Sequence, residues 1–439
     1  MIKCLKTSFG LLLFISFFCA NALAEEAPIA VGTPVQEAQE PQEILNWEGC
    51  IKEAAKNHPD LIAAEEKVSQ SEAGKKVVAS ALYPQVTGSV SGSTSRSAST
   101  TSSSTGDSYS YGVDGSQLIF DGIKTINNVN AASETIKASQ QNFRFTSATV
   151  RFRLRSAFIN LLNTQELLLI TQEIYNIRRW DLALITLRYE SGLEHKGALM
   201  TSDANLAQAQ YGIDQAKRNV EVARRQLTKE MGRKELKALE AKGDFVVVDT
   251  ASSKPDFEIY AKNNPSLQQI IAQKNSALFS LRAAYGNFSP ALNANAGAGK
   301  TSPRWPPIKD QWNWGLTLSM PIFEGGLRFA HVGQATALFK QLEENERSTR
   351  DGIVLTLEQT WAALQDALAN VGVQKKNLLA TEERSTIAQA QYSTGFITYD
   401  NWIIIQDNLV SAKMSFLNAQ SAALLAEANW IQAKGETLE

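Results

Sequence analysis

Residues 312–326 read WNWGLTLSMPIFEGG. Trp312, Trp314, Leu316, Leu318 and Met320 take every second position, and Asn313, Gly315, Thr317 and Ser319 fill the gaps. Pro321, Gly325 and Gly326 then break the pattern ahead of a long run of helix-forming residues. Strict alternation at period two marks a strand with one apolar and one polar face. In a soluble sheet the apolar face meets a core. In an outer-membrane barrel it meets lipid, and aromatic residues gather where the strand crosses the headgroups. One strand does not choose between these settings, and the rest of the chain has to.

The N-terminus bears on the choice first. Lys3 and Lys6 precede the apolar run LLLFISFFCA, and Ala22-Leu23-Ala24 offers a small-residue cleavage site, which predicts a signal peptide over 1–24 and export from the cytoplasm. Cys19 follows Ser16, Phe17 and Phe18, too bulky for a lipobox, so ordinary cleavage is expected rather than lipid anchoring. Cys50 is then the one remaining cysteine, and an intramolecular disulfide is excluded. Residues 25–46, acidic and proline-containing, read as a flexible lead-in. After the signal no apolar run approaches the roughly 18 residues of a membrane-spanning helix, so a bilayer crossing has to be made by strands. The composition, 44% hydrophobic and 20% charged with net charge −2, is that of a folded protein and does not point to nucleic acid.

Prolines are absent from 85–254 and from 322–439, and these stretches are rich in Ala, Leu, Gln, Glu, Lys and Arg. Since proline costs about 3 kcal/mol inside a helix, both stretches are candidates for very long helices. A helix over 123–188 would span roughly 100 Å, which implies a bundle or tube. The two stretches are also copies of one unit. Asn57-His58-Pro59 matches Asn263-Asn264-Pro265 and Pro84 matches Pro290, each pair 206 residues apart. Ile119-Phe120-Asp121-Gly122 matches Ile322-Phe323-Glu324-Gly325, and Tyr189-x-x-Gly192 matches Tyr392-x-x-Gly395, each 203 apart. Four landmarks in one order at nearly constant offset define a first repeat over 47–240, a linker over 241–256 and a second repeat over 257–439.

Each repeat reads helix, strand, loop, strand, long helix, glycine turn, helix. The first opens on a helix over 47–83, followed by a hairpin over 86–118 whose connecting loop is the polar RSASTTSSSTGDS. The second has a hairpin over 291–320. Tyr109, Tyr111 and Val113 repeat the alternation of Trp312, Trp314, Leu316 and Leu318, and these seven are the expected lipid-facing set. Four strands cannot close a barrel, and an open edge in hydrocarbon leaves backbone groups unpaired. Closure therefore calls for other copies. Three copies give twelve strands and room for water, whereas two give eight, whose interior side chains fill. Small polar residues on the inner face favour the trimer. The fold class is thus an α+β membrane protein with a long α-helical barrel and four strands per protomer.

At this point the residues resemble the TolC-like outer-membrane efflux family: the doubled order, the strand-closing I-F-D-G and I-F-E-G-G, the Y-x-x-G-L and Y-x-x-G-F turns, and the N-x-P early in each repeat. The resemblance covers the chain from about Trp47 onward. It implies a homotrimer in the outer membrane of a Gram-negative bacterium with a large periplasmic portion. It also implies a passive exit duct for an inner-membrane pump joined through a periplasmic adaptor, or alternatively the outer-membrane component of type I protein secretion. Family members present two helix-turn-helix tips to the adaptor, and the matching residues are Gly192, Leu193, Gly395 and Phe396. The periplasmic gate of the best-known member uses acidic residues nine and twelve positions after the second tip tyrosine. Tyr392 matches that tyrosine, but Asn401 and Ile404 stand at the acidic positions, with Asp400 and Asp407 nearby. The expectation is a gate more apolar at Ile404 and polar at Asn401, with weakened cation affinity. A trimeric coiled-coil surface protein is a rival, but it would carry one sustained heptad and no matched strand pairs.

Signals of chemistry are weak. Gly297-Ala298-Gly299-Lys300-Thr301 looks like the end of a phosphate-binding loop, yet Ala294 stands where the first glycine belongs and Pro303 where a helix should follow. His58, His195 and His331 are scattered without ligand spacing, and His58, opposite Asn264 in the repeat, fits a helix terminus. Neither a cofactor nor catalysis is indicated.

Overall fold

The structure, a computed structural model, describes residues 43–98, 103–235, 239–243 and 254–438. The expected signal peptide and residues 25–42 of the lead-in lie outside these. The order is β1 (Glu43–Leu45), α1 (Trp47–Asn57), α2 (Pro59–Ala79), β2 (Gln85–Ala98), β3 (Ser103–Phe120), α3 (Lys124–Glu190) and α4 (Lys196–Glu230). It continues with β4 (Leu239–Ala241), α5 (Phe257–Asn263), α6 (Pro265–Gly286), β5 (Ala291–Ser302), β6 (Lys309–Ser319), α7 (Leu327–Ser393) and α8 (Tyr399–Lys434). From α1 to α4 and again from α5 to α8 the chain makes two helices, a hairpin, a helix of 67 residues and a second helix. The duplication read from the landmarks is therefore a duplication of structure. At 1.5 Å per residue, α3 and α7 are each roughly 100 Å long. No described helix is long and apolar enough to cross a membrane.

The opening helix expected over 47–83 is instead two helices and a final turn of 3-10 helix at Ser80–Leu82. Pro59 sits at the first position of α2, where its missing N–H is harmless, and its ring pushes the preceding residue into extended backbone. That residue is His58, whose Nδ1 accepts from the backbone N–H of Asp60 at 3.1 Å. Asn264 does the same in the second repeat, its Oδ1 accepting from Ser266 N–H at 2.9 Å. The N-x-P landmark is thus a helix restart with a side-chain cap. His195 is a third example, accepting from Ala198 N–H at 3.1 Å to cap α4. The Asp and Glu of the strand-closing motifs also work locally: Asp121 accepts from the N–H of Thr125, and Glu324 pairs with Arg328 at 2.8 Å.

The end of the lead-in departs from the expectation of flexibility. Glu43–Leu45 pairs in parallel with Leu239–Ala241, at the edge of the expected linker. Arg233 locks this two-stranded sheet in place, donating to both oxygens of Glu43 and both of Glu53. Beneath it lies the main core, where Leu45, Cys50, Leu154, Phe158, Leu227, Met231 and Leu239 pack together. Cys50 is fully buried there, and burial pushes its thiol up to about 12, so it is an inert packing residue.

The large sheet is antiparallel throughout, in the order β2-β3-β5-β6. The first hairpin is longer than expected: most of the stretch read as a polar loop is strand, with Ser–Ser and Thr–Asp pairs continuing the ladder up to Ala98↔Ser103. Register fixes the faces, because directly paired residues share a side of the sheet. Trp312 pairs with Ala298, which pairs with Val113; Trp314 pairs with Ala296, and Leu316 with Ala294. Tyr111 and Tyr109 follow on the same side, opposite Lys300 and Ser302. All seven residues expected to face lipid therefore lie on one face. The other face carries Ser, Thr, Gly, Asn and Gln almost throughout.

Candidate functional site: the conduit face and the helical tips

The apolar face has the profile of a membrane belt. Trp312, Trp314, Leu316 and Leu318 are exposed at 74, 75, 63 and 67% in the single chain. From Asp310 to Met320 the strand advances ten residues, which at a tilt of about 40° covers about 25 Å of height, the thickness of an outer-membrane apolar band. At one margin of this face lie the Lys300–Asp310 ion pair (3.3 Å) and the edge-to-face Tyr109–Trp305 pair, the charged and aromatic residue types that suit a membrane–water interface. The outer edges of β2 and β6 have no partner strand among the described residues.

The helical body ends in two turns, between α3 and α4 and between α7 and α8. Both are built alike. Gly192 and Gly395 adopt left-handed backbone (φ +70° and +80°). The following N–H groups reach back, Leu193 to the carbonyl of Arg188 at 2.8 Å and Phe396 to that of Gln391 at 2.9 Å. This closes each long helix with a six-to-one bond that glycine accommodates without strain. The turns leave Leu193 and Phe396 projecting, 68 and 83% exposed.

The structure brings the two tips together. Tyr392, 2% exposed, stacks on Trp402 with ring centroids 4.6 Å apart, and Tyr399 packs against both. The Arg188 guanidinium covers the Tyr392 ring at 4.7 Å, and the Tyr392 hydroxyl donates to Glu194 Oε2 of the first tip at 2.9 Å. Burial, and the Glu194 carboxylate beside it, raise the Tyr392 phenol above its ordinary range. Ser202 on α4 and Tyr399 on α8 share a second bond of 2.8 Å. Tyr392 is thus a buried link between the hairpins, whereas Asp400, Asn401 and Ile404 lie on the exposed face of α8 and Trp402, Ile403 and Gln406 on its buried face.

Further along, Arg178 on α3 pairs with Asp181 at 3.4 Å and donates to Asp407 on α8. Asp181 is 2% exposed; burial, only partly offset by Arg178, pushes its carboxyl up to about 6. Lys413 on α8 pairs with Glu173 on α3 at 2.6 Å. Glu194, Arg188, Ser202, Tyr399, Trp402, Arg178 and Asp181 are members of this site that sequence reasoning missed. Tyr392 and Tyr399 flank the tip as an aromatic pair, which was the one local hint.

The comparisons with known proteins bear on most of the chain. The model of the family described as "Outer membrane efflux protein" matches residues 50–233 and 259–436, one stretch per repeat. The outer membrane efflux protein BepC of Brucella suis biovar 1 (strain 1330) is 21% identical over 88% of this chain and 84% of its own length. The outer membrane protein TolC of Escherichia coli (strain K12) is 24% identical over 69% of this chain and 63% of its own length. Among solved structures the outer-membrane channel OprN superposes with a TM-score of 0.80 at 14% identity, covering 89% of each chain. With most of both repeats matched, the chain belongs to the outer membrane efflux protein family.

Proposed function

We propose that three copies of this chain close into a twelve-stranded barrel across the outer membrane, continued into the periplasm by a helical tunnel. The assembly is a passive exit duct for small compounds, energised by an inner-membrane pump. The observation that carries the reading is the sheet: four strands, two free edges, one face apolar over a membrane's thickness and the other small and polar. Such a sheet is stable in a bilayer only when closed by copies of itself.

The exposed apolar side chains at Leu193 and Phe396, held on rigid glycine turns at Gly192 and Gly395, suit docking of a periplasmic adaptor. A double Leu193→Asp, Phe396→Asp variant should form normal oligomers yet restore no drug resistance to a strain lacking the channel, as read by susceptibility testing. Full resistance in the double variant would remove the tips from the adaptor contact. At the periplasmic end Asp400, Asn401 and Ile404 form the exposed face of α8, with Tyr392 holding the hairpins together behind it. With Asn401 and Ile404 in the gate, di- and trivalent cations should block conductance in planar bilayers only at high concentration. Strong block at low concentration would show that Asp400 alone supplies an acidic ring.

A further inference from the structure

The polar face of the sheet is almost free of charge. Among its described strand residues two are ionisable, Asp114 on β3 and Lys309 at the outer start of β6. Asp114 sits in a row that crosses all four strands, Thr87↔Asp114↔Gly297↔Asn313. A Cβ at Gly297 would come within 2.5 Å of Asp114 Oδ1 and 2.7 Å of Asn313 Oδ1. The carboxylate and the amide thus lean over the glycine from either side, and a side chain there would displace them.

The depth of the row matters as much as its chemistry. It lies between the pairs that carry Trp312 and Trp314 on the opposite face, so the wall behind Asp114 is the membrane belt. A charge on a low-dielectric wall sends its field into the water in front of it. Lys309 does not neutralise it locally: it stands four residues up β6 from Asn313, about 14 Å along the strand, beyond the Debye length of about 8 Å at physiological salt.

We infer that Asp114, repeated three times around the closed barrel, forms a ring that biases the barrel part of the conduit toward cations over anions and favours cationic over anionic cargo. This rests on the trimeric closure proposed above. The pore is wide, so the preference is electrostatic and screened by salt; it is not a size filter.

The test compares purified wild type, Asp114→Asn and Asp114→Lys in planar bilayers, taking reversal potentials under a tenfold KCl gradient at low and at high ionic strength. At low ionic strength the cation-to-anion permeability ratio should fall by about threefold or more in Asp114→Asn and drop below one in Asp114→Lys. Near 1 M, where the Debye length is about 3 Å, the three ratios should converge. Trimers of both variants with an unchanged ratio would overturn the inference while leaving the duct intact. Failure of Asp114→Lys to assemble beside normal Asp114→Asn trimers would place residue 114 against lipid, and would also overturn it. Absence of wild-type trimers would refute the closure on which it stands.

Discussion

Asp181 is the most confined carboxylate at the periplasmic end, 2% exposed with Arg178 at 3.4 Å and Asp407 and Tyr399 close by on α8. Burial raises its native pKa to about 6, above an ordinary value of 3.8. Between those pH values the folded protein holds a proton that the unfolded chain has released. Stability therefore falls as pH rises through that window and is level above it, a cost on the order of 2 to 3 kcal/mol per protomer at neutral pH. Asp181→Asn removes the titrating group but keeps its shape, and Arg178 retains Asp407. The thermal dissociation temperature of the oligomer, followed from about pH 4 to 7, should decline in wild type and stay flat in Asp181→Asn. A decline of equal size in the variant would assign the pH dependence to other groups.

At the scale of elements, β6 shows what one face or the other demands. Arginine at a lipid-facing position near mid-membrane costs about 2 to 4 kcal/mol, while the lumen face accepts charge. Leu316→Arg should therefore impair assembly, seen as loss of the oligomer from the outer-membrane fraction. Thr317→Arg, one residue on, should assemble normally and change conductance. The reverse pattern would invert the sheet. This contrast was legible in the sequence because Trp312 to Leu318 alternates with Asn, Gly and Thr. The 67-residue helices were legible through the absence of proline, and the tips through their glycines. The upper half of the first hairpin was not. There both faces are mostly Ser and Thr with an occasional charge such as Arg96 or Asp107, and a strand without apolar contrast reads as a loop. Nor was β1, three residues long with a partner nearly two hundred residues away, too short for any periodicity. The same holds for the tip links. Tyr392–Glu194 and Arg178–Asp407 join residues 198 and 229 positions apart, and only folding brings them together.

For the whole molecule, the single chain is unfinished in two registers at once. Its sheet ends on two free edges, and of α7's 67 residues only Leu357, Leu364, Ser385, Ala388 and Tyr392 are buried. Leu338, Leu355, Val373 and Leu379 lie exposed along the same helix. Monomeric proteins rarely leave unpaired sheet edges and this many apolar side chains uncovered. The trimer proposed above would cover both, since closing three sheets into a barrel would also set α7 of each copy beside its neighbour. The most direct test is the mass of the protein extracted from membranes in mild detergent and run with and without heating. A closed trimer gives a heat-labile species near three times the monomer mass, confined to the outer-membrane fraction. A monodisperse monomer in the soluble fraction would contradict it.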